Sequence, residues 1–171
     1  MELNVAAELK LPGTPNECEL SHTLPGCEFY GRNIKFAAPT TVRARYVYDG
    51  AGFDISGTII TAFESECARC GIRFKEPFKV DFSERFVKTI TDEEEDAYPF
   101  SSDTIDLSDM VLDNILLNMP ISSVCTKDCK GICPVCGTNL NTGQCSCKVV
   151  TAEARKPLGL LEQLLNDGKE V

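Results

Sequence analysis

Cys125 to Cys147 reads CTKDCKGICPVCGTNLNTGQCSC and holds six of the chain's ten cysteines in 23 residues. At its centre, Cys133-Pro134-Val135-Cys136-Gly137 sets two thiols three positions apart. Both can bind one ion if the backbone turns tightly between them. Pro134 fixes one backbone angle of such a turn, and Gly137 permits the left-handed residue that often follows. Cys145-Ser146-Cys147 begins nine positions after Cys136, and the intervening TNLNTGQ is rich in turn formers that fold a chain back on itself. Four thiolates suit a closed tetrahedral structural site, with zinc as the default ion.

The same knuckle occurs earlier, as Cys67-Ala68-Arg69-Cys70-Gly71. Setting Cys18 and Cys27 aside leaves eight cysteines, enough for two four-sulfur sites and two zinc ions per chain. Two partitions compete. In one, Cys133, Cys136, Cys145 and Cys147 form a local site, while Cys67 and Cys70 meet Cys125 and Cys129. In the other, the two CxxCG knuckles pair as in rubredoxin, leaving Cys125, Cys129, Cys145 and Cys147 together. The first is favoured because its local site closes a short loop at small entropic cost. The second admits iron and electron transfer, although ligand type alone does not choose iron over zinc.

The chain of 171 residues is long enough to bury a core without staples. It reads as a β-rich domain over 1–124 with an acidic segment and one helix, a cysteine-rich zinc lobe over 125–150 packed on it, and a C-terminal helix within 151–171. No apolar run approaches the roughly 20 residues of a membrane span. MELNVAAELK has neither a basic nor an apolar signal region, so a cytoplasmic setting is expected, where paired cysteines are more often metal ligands than disulfides. The net charge is −9. Between Lys88 and Lys127 lie nine acids and no base, which leaves 17 of the 26 acids against all 17 bases elsewhere. Such a chain is a poor nonspecific binder of nucleic acid, because phosphate contacts supply most of that affinity.

The fold expected is α+β: an antiparallel β-rich core with two helices and the zinc-bound lobe. Glu2 to Leu11 alternates like a half-buried strand, and Pro12 to Gly26 reads as loop. That loop holds Cys18 and the only histidine, His22, with Cys27 just beyond it. A Cys2His cluster there lacks a fourth ligand, so free thiols are the plainer reading. Further strands are expected at Phe29–Phe36, Thr40–Tyr48, Phe53–Glu64 and Glu76–Val87, with a hairpin at Asp49-Gly50. The Cys67 knuckle then sits in the connection between two antiparallel strands. Asp92 to Asp96 reads as a solvated loop. A helix is expected from Leu107 to Asn118, capped by Asp106, with Leu107, Val111, Leu112, Ile115, Leu116 and Met119 on its apolar side. Another is expected from Lys156 to Asn166, on Leu158, Leu161, Leu164 and Leu165.

Taken in order, CARCGIRF after a β-rich half, the acidic segment, DLSDMVLDNILLNMP, the cysteine cluster and KPLGLLEQLL resemble the YceD-type large ribosomal RNA subunit accumulation proteins. The resemblance covers most of the chain and is weakest before Phe53. It implies a cytoplasmic bacterial protein, without defined enzymatic activity, needed for accumulation of large-subunit (23S) ribosomal RNA. Cys18 and Cys27 fall outside its motifs.

The leading expectation is therefore a non-enzymatic factor in ribosomal RNA processing or ribosome assembly. Its partner would be a ribosomal RNA precursor or a large-subunit ribosomal protein, with no membrane and no small-molecule substrate. Arg69, Arg73, Lys75, Lys127 and Lys130 flank the shared cysteine site and are the candidate RNA contacts, with ordinary solubilising charge as the plainer account. The acidic stretch would instead suit a basic ribosomal protein. An enzyme would need a general base and an open metal position, and no nucleophile elbow, phosphate loop or dinucleotide fingerprint occurs. A rubredoxin-like or thiol-based redox protein is the alternative class.

Overall fold

The computed structural model describes residues 1–90 and 96–147. In chain order its strands are β1 (Glu2–Asn4), β2 (Pro15–His22), β3 (Cys27–Phe29), β4 (Arg32–Ile34), β5 (Thr40–Tyr48), β6 (Gly52–Glu66), β7 (Arg73–Val87), β8 (Tyr98–Pro99) and β9 (Thr104–Asp106). The helix α1 (Ser108–Asn118) follows, and a 3-10 turn covers Glu8–Lys10. By internal packing the chain divides into two units. The larger takes Met1–Cys67 with Ile72–Cys125; the smaller takes Ala68–Gly71 with the described chain from Thr126 onward.

The larger unit rests on β6 and β7, which pair antiparallel over their full lengths, from Gly52 opposite Val87 to Glu66 opposite Arg73. They anchor a five-stranded sheet in the order β2-β5-β6-β7-β8, antiparallel except for the short parallel pair β7–β8. The strand period of two places Val42, Ala44 and Tyr46, then Phe53, Ile55, Ile59 and Phe63, then Phe78, Phe82 and Phe86 on one buried face. Arg43, Arg45 and Asp54 stand on the other. From α1, Met110, Val111 and Ile115 complete this core, with Leu107 from the residue before the helix. Phe53 is fully buried, its ring 4.8 Å from Tyr48 and 5.4 Å from Phe100. Burying such a ring contributes roughly 1.5–3 kcal/mol.

β5 alternates over the whole of Thr40–Tyr48 and forms as the pattern directs. The Asp49 carboxylate accepts from the backbone N–H groups of Ala51 and Gly52, both at 2.8 Å, and closes the turn into β6. Those two bonds, with Arg85, hold its pKa down to about 2. Gly57 lies where β5 crosses closest. A Cβ there would meet the Arg43 carbonyl oxygen at 2.1 Å and the Ala44 Cα at 2.7 Å. Because both are backbone atoms of a paired strand, neither can rotate away. Gly57→Ala is expected to cost about 1–3 kcal/mol by overpacking, read as a lowered thermal midpoint with an unchanged far-ultraviolet spectrum.

Three local expectations are corrected. The strand over Glu2–Leu11 ends at Asn4, whose side chain accepts from the Ala6 N–H at 3.1 Å, and the chain turns into the 3-10 segment. An asparagine side chain that bonds its own backbone competes with the ladder. The Pro12–Gly26 stretch is not all loop: β2 is an eight-residue edge strand against β5. Pro15 is tolerated as its first residue, and Cys18 and Leu20 turn half-buried toward the core. Phe29–Phe36 is interrupted, with β3 and β4 forming a hairpin around Tyr30-Gly31.

The helix forms one residue later than expected, with Leu107 in the cap position. Asp106 still serves its start, accepting from the Ser108 N–H at 2.9 Å. Met119 is extended, as the residue before Pro120 must be. The architecture is thus β-rich, with one α-helix among the described residues where the α+β reading expected two. The Lys156–Asn166 helix lies outside those residues, as do Asp92, Glu93, Glu94 and Glu95 of the acidic run. Among the described residues no helix is long and apolar enough to cross a membrane.

Candidate metal centres

Both CxxCG knuckles fold alike. In the first, the Cys67 N–H bonds the Ile72 carbonyl at 2.9 Å; in the second, the Cys133 N–H bonds the Thr138 carbonyl at 2.8 Å. Each therefore closes between the first cysteine and the residue five positions on. The glycine ending each knuckle is left-handed, Gly71 at φ +70° and Gly137 at φ +72°. This is the conformation a glycine adopts without a steric penalty. The first knuckle occupies the connection from β6 to β7, as its place in the sequence predicts.

The sulfurs gather in two groups of four: Cys67, Cys70, Cys125 and Cys129, and Cys133, Cys136, Cys145 and Cys147. Within each group all four lie within 4.8 Å of one another. Of the two partitions left open by the sequence, the sulfurs adopt the first, and the two CxxCG knuckles do not pair. Tetrahedral zinc at about 2.3 Å from each thiolate places its sulfurs about 3.8 Å apart, so both groups fit with small adjustments. In the first group Cys67, Cys70 and Cys129 are buried and Cys125 half-buried; in the second only Cys133 is buried. Cys18, Cys27 and His22 belong to neither group.

The electrostatics of the second group favour a cation. The Thr138 hydroxyl, 3.1 Å from the Cys136 sulfur, combines with the Thr138 N–H and the Cys133 thiol to draw the Cys136 pKa down to about 6. Its neighbours move the other way. A hydrogen bond with Cys136, burial and the nearby thiolates push Cys147 up to about 12. For Cys145 the Cys147 N–H favours the thiolate, but Cys133, burial and Cys136 together raise its pKa. One thiolate forms readily, and each further one meets accumulating negative charge. A divalent cation removes that opposition.

Two residues beside the first group have roles that cysteine spacing does not reveal. The Asn141 side chain donates to the Cys129 sulfur at 3.3 Å while its oxygen accepts from the Lys130 N–H at 2.8 Å. A donor aimed at the sulfur fixes its orientation, as groups behind metal ligands do. Arg69, expected as an RNA contact, directs its guanidinium to the Cys129 carbonyl at 3.0 Å and the Lys127 carbonyl at 3.4 Å. Its own carbonyl accepts from the Ile132 N–H. The turn-rich TNLNTGQ stretch signals a reversal but not that one of its asparagines reaches a cysteine. Of the other basic candidates, Lys127 and Lys130 are exposed in the smaller unit, while Arg73 and Lys75 stand exposed on β7 opposite Glu66 and Glu64.

A family model described as large ribosomal RNA subunit accumulation protein YceD matches residues 55–165, a span that includes all eight grouped cysteines. An uncharacterized protein of Mycobacterium tuberculosis is 35% identical over 94 residues, covering 52% of this chain and 45% of that protein. An uncharacterized protein of Mycobacterium leprae is 30% identical over 112 residues, covering 63% of this chain and 52% of its own. The chloroplastic large ribosomal RNA subunit accumulation protein YCED homolog 1 of Zea mays is 39% identical over 62 residues, 36% of this chain and 21% of the maize protein. The chain spans about half the length of the mycobacterial relatives it matches. No solved structure matches it. With the family model spanning well over half of its residues, and both knuckles and α1 inside the match, the chain belongs to the YceD family of large ribosomal RNA subunit accumulation proteins.

Proposed function

We propose that the chain is a non-enzymatic factor in the accumulation of large-subunit (23S) ribosomal RNA, acting in the bacterial cytoplasm through binding, with two structural zinc ions. The family match carries this reading. The cysteine groups support its second half: four mutually close sulfurs make a closed site that holds no water for hydrolysis. His22 ends an exposed edge strand and is in neither group, so it offers those sites no general base. The partner is a precursor of the large-subunit RNA or a ribosomal protein bound to it. Lys127 and Lys130, exposed beside the first group, remain candidate RNA contacts with Arg73 and Lys75; Arg69 is assigned to holding the Cys129 loop.

Ultraviolet crosslinking in cells that produce the tagged chain, followed by stringent purification and sequencing, tests the reading. Large-subunit precursor sequences are expected to be enriched severalfold over small-subunit ones. Equal recovery of both, with unchanged large-subunit RNA in cells lacking the protein, would overturn it. Precursor recovered only under protein–protein crosslinking would assign the direct contact to a ribosomal protein.

A further inference from the structure

The larger unit contains a cleft of about 560 Å³ where β4 and the residues after it meet the ends of β6 and β7 nearest the first knuckle. Four basic side chains line it: Arg32, Lys35, Arg73 and Lys75. Two acids, Glu64 and Glu66, lie opposite Lys75 and Arg73 in the strand register. Arg32 and Lys35 therefore leave the cleft with an excess of positive charge, in a chain whose net charge is −9. Arg32 also donates to the Ile121 carbonyl at 3.3 Å, which fixes the β3–β4 hairpin beside the segment that leaves α1.

Contiguous with this cleft is an apolar one of about 270 Å³, which shares Arg32, Ile34 and Met119 with it and adds Phe29, Tyr30 and Ile121. Tyr30 is 90% exposed at the hairpin tip and Ile121 is 95% exposed. Tyr30 is also left-handed, at φ +48°, followed by Gly31 at φ +72°. Two positive φ values in a two-residue hairpin loop ordinarily select asparagine and glycine. A tyrosine there gains nothing for the fold from burial, and it carries the cost of a conformation that side chains avoid. Its ring lies 4.6 Å from Phe29, edge to face, which holds the exposed aromatic in place.

We infer that this surface binds a single-stranded segment of RNA, with Tyr30 stacking on a base and Lys35, Arg73 and Lys75 meeting the phosphates. An aromatic platform beside a basic groove is how proteins hold unpaired nucleic acid, and the cleft is sized for nucleotides rather than for a duplex. The inference rests on the proposed role in ribosomal RNA accumulation and supplies its binding site.

Fluorescence anisotropy with the full chain and a labelled, unstructured RNA of about 12 nucleotides tests it. Tyr30→Gly is expected to weaken binding on the order of tenfold, with a melting temperature equal to or above that of the parent, because glycine suits the left-handed position. Tyr30→Phe is expected to retain binding. The triple variant Lys35→Gln, Arg73→Gln, Lys75→Gln is expected to weaken binding further and flatten the salt dependence by about 0.7 in slope for each phosphate no longer neutralised. If those variants bind as the parent does and Lys127→Gln with Lys130→Gln does not, the cleft is overturned and RNA binding by this protein stands. If the parent binds a poly-glutamate peptide and no RNA, the cleft serves a protein partner and the inference is overturned. The crosslinking experiment then decides the wider role separately.

Discussion

Protein purified without added metal is expected to carry two zinc ions per chain, and removing them is expected to unfold the smaller unit. The reason lies in what that unit buries. Among its described residues the buried apolar side chains are Cys70, Cys129 and Cys133, whereas the larger unit buries Phe53, Phe63, Phe86, Ile55, Ile59, Met110 and others. A few thiols and some turns do not offset the entropy of ordering the chain. Structural zinc contributes on the order of 10 kcal/mol in small modules, which is enough. Elemental analysis should find the two-to-one ratio. A strong chelator should then erase the amide-exchange protection of Cys133, Gly137 and Leu140, whose N–H groups bond within the unit, while β5, β6 and β7 stay protected. Acid should act as chelation does, because the thiols must lose their protons to bind. Metal-free protein with eight freely titrating thiols and unchanged protection would overturn the prediction. Visible colour with one or two irons would move the sites to the redox reading.

Whether an element is legible in the sequence depends on whether its deciding interactions are local. Thr40–Tyr48 and the residues flanking Cys67 alternate cleanly, so burial of one sheet face sets their register and their strands appear where expected. The knuckles are equally legible, since thiol spacing and the following glycine are short-range constraints. The features that stay hidden are contests between local signals and distant partners. Pro12, Pro15 and Pro25 mask β2, because its pairing with Thr40–Val47 is visible only once the sheet exists. Tyr30-Gly31 does not announce a hairpin, since tyrosine is not a residue that left-handed turns favour. Asn114, on the helix face between Val111 and Leu116, reads as polar; it is buried because it donates to Glu84 at 2.9 Å and to the Met110 carbonyl at 3.1 Å. Arg69 and Asn141 escape a sequence reading for the same reason. Their roles are set by carbonyls and a sulfur contributed by other segments.

Cys67→Ser is expected to destabilise the protein more widely than Cys145→Ser. The two substitutions remove one thiolate each, so the chemistry removed is the same and the difference lies in what each group closes. Cys133, Cys136, Cys145 and Cys147 span fifteen residues, and the turn between them is also held by the Gly137 N–H to the Cys133 carbonyl and the Gly143 N–H to the Asn139 carbonyl, both at 2.9 Å. Removal of one sulfur there leaves three ligands close together on a short stretch of chain, which still hold an ion, though more weakly. The other group joins Cys67 and Cys70 to Cys125 and Cys129 across a loop of roughly 55 residues, and closing a loop that long carries more entropy than closing a short one. Cys67 is also 2% exposed, so a serine hydroxyl in its place is a buried polar group with a poorer affinity for zinc. Its N–H closes the first knuckle onto Ile72 at the very end of β6, so a disturbance there reaches the paired ends of β6 and β7. Cys67→Ser should therefore lose one zinc and shift the main thermal transition downward by several degrees or more. Cys145→Ser should weaken one zinc and leave that transition nearly in place. Zinc content and melting curves of the two variants decide it. If Cys67→Ser keeps both ions and melts like the parent, the four sulfurs around Cys67 do not share a structural ion.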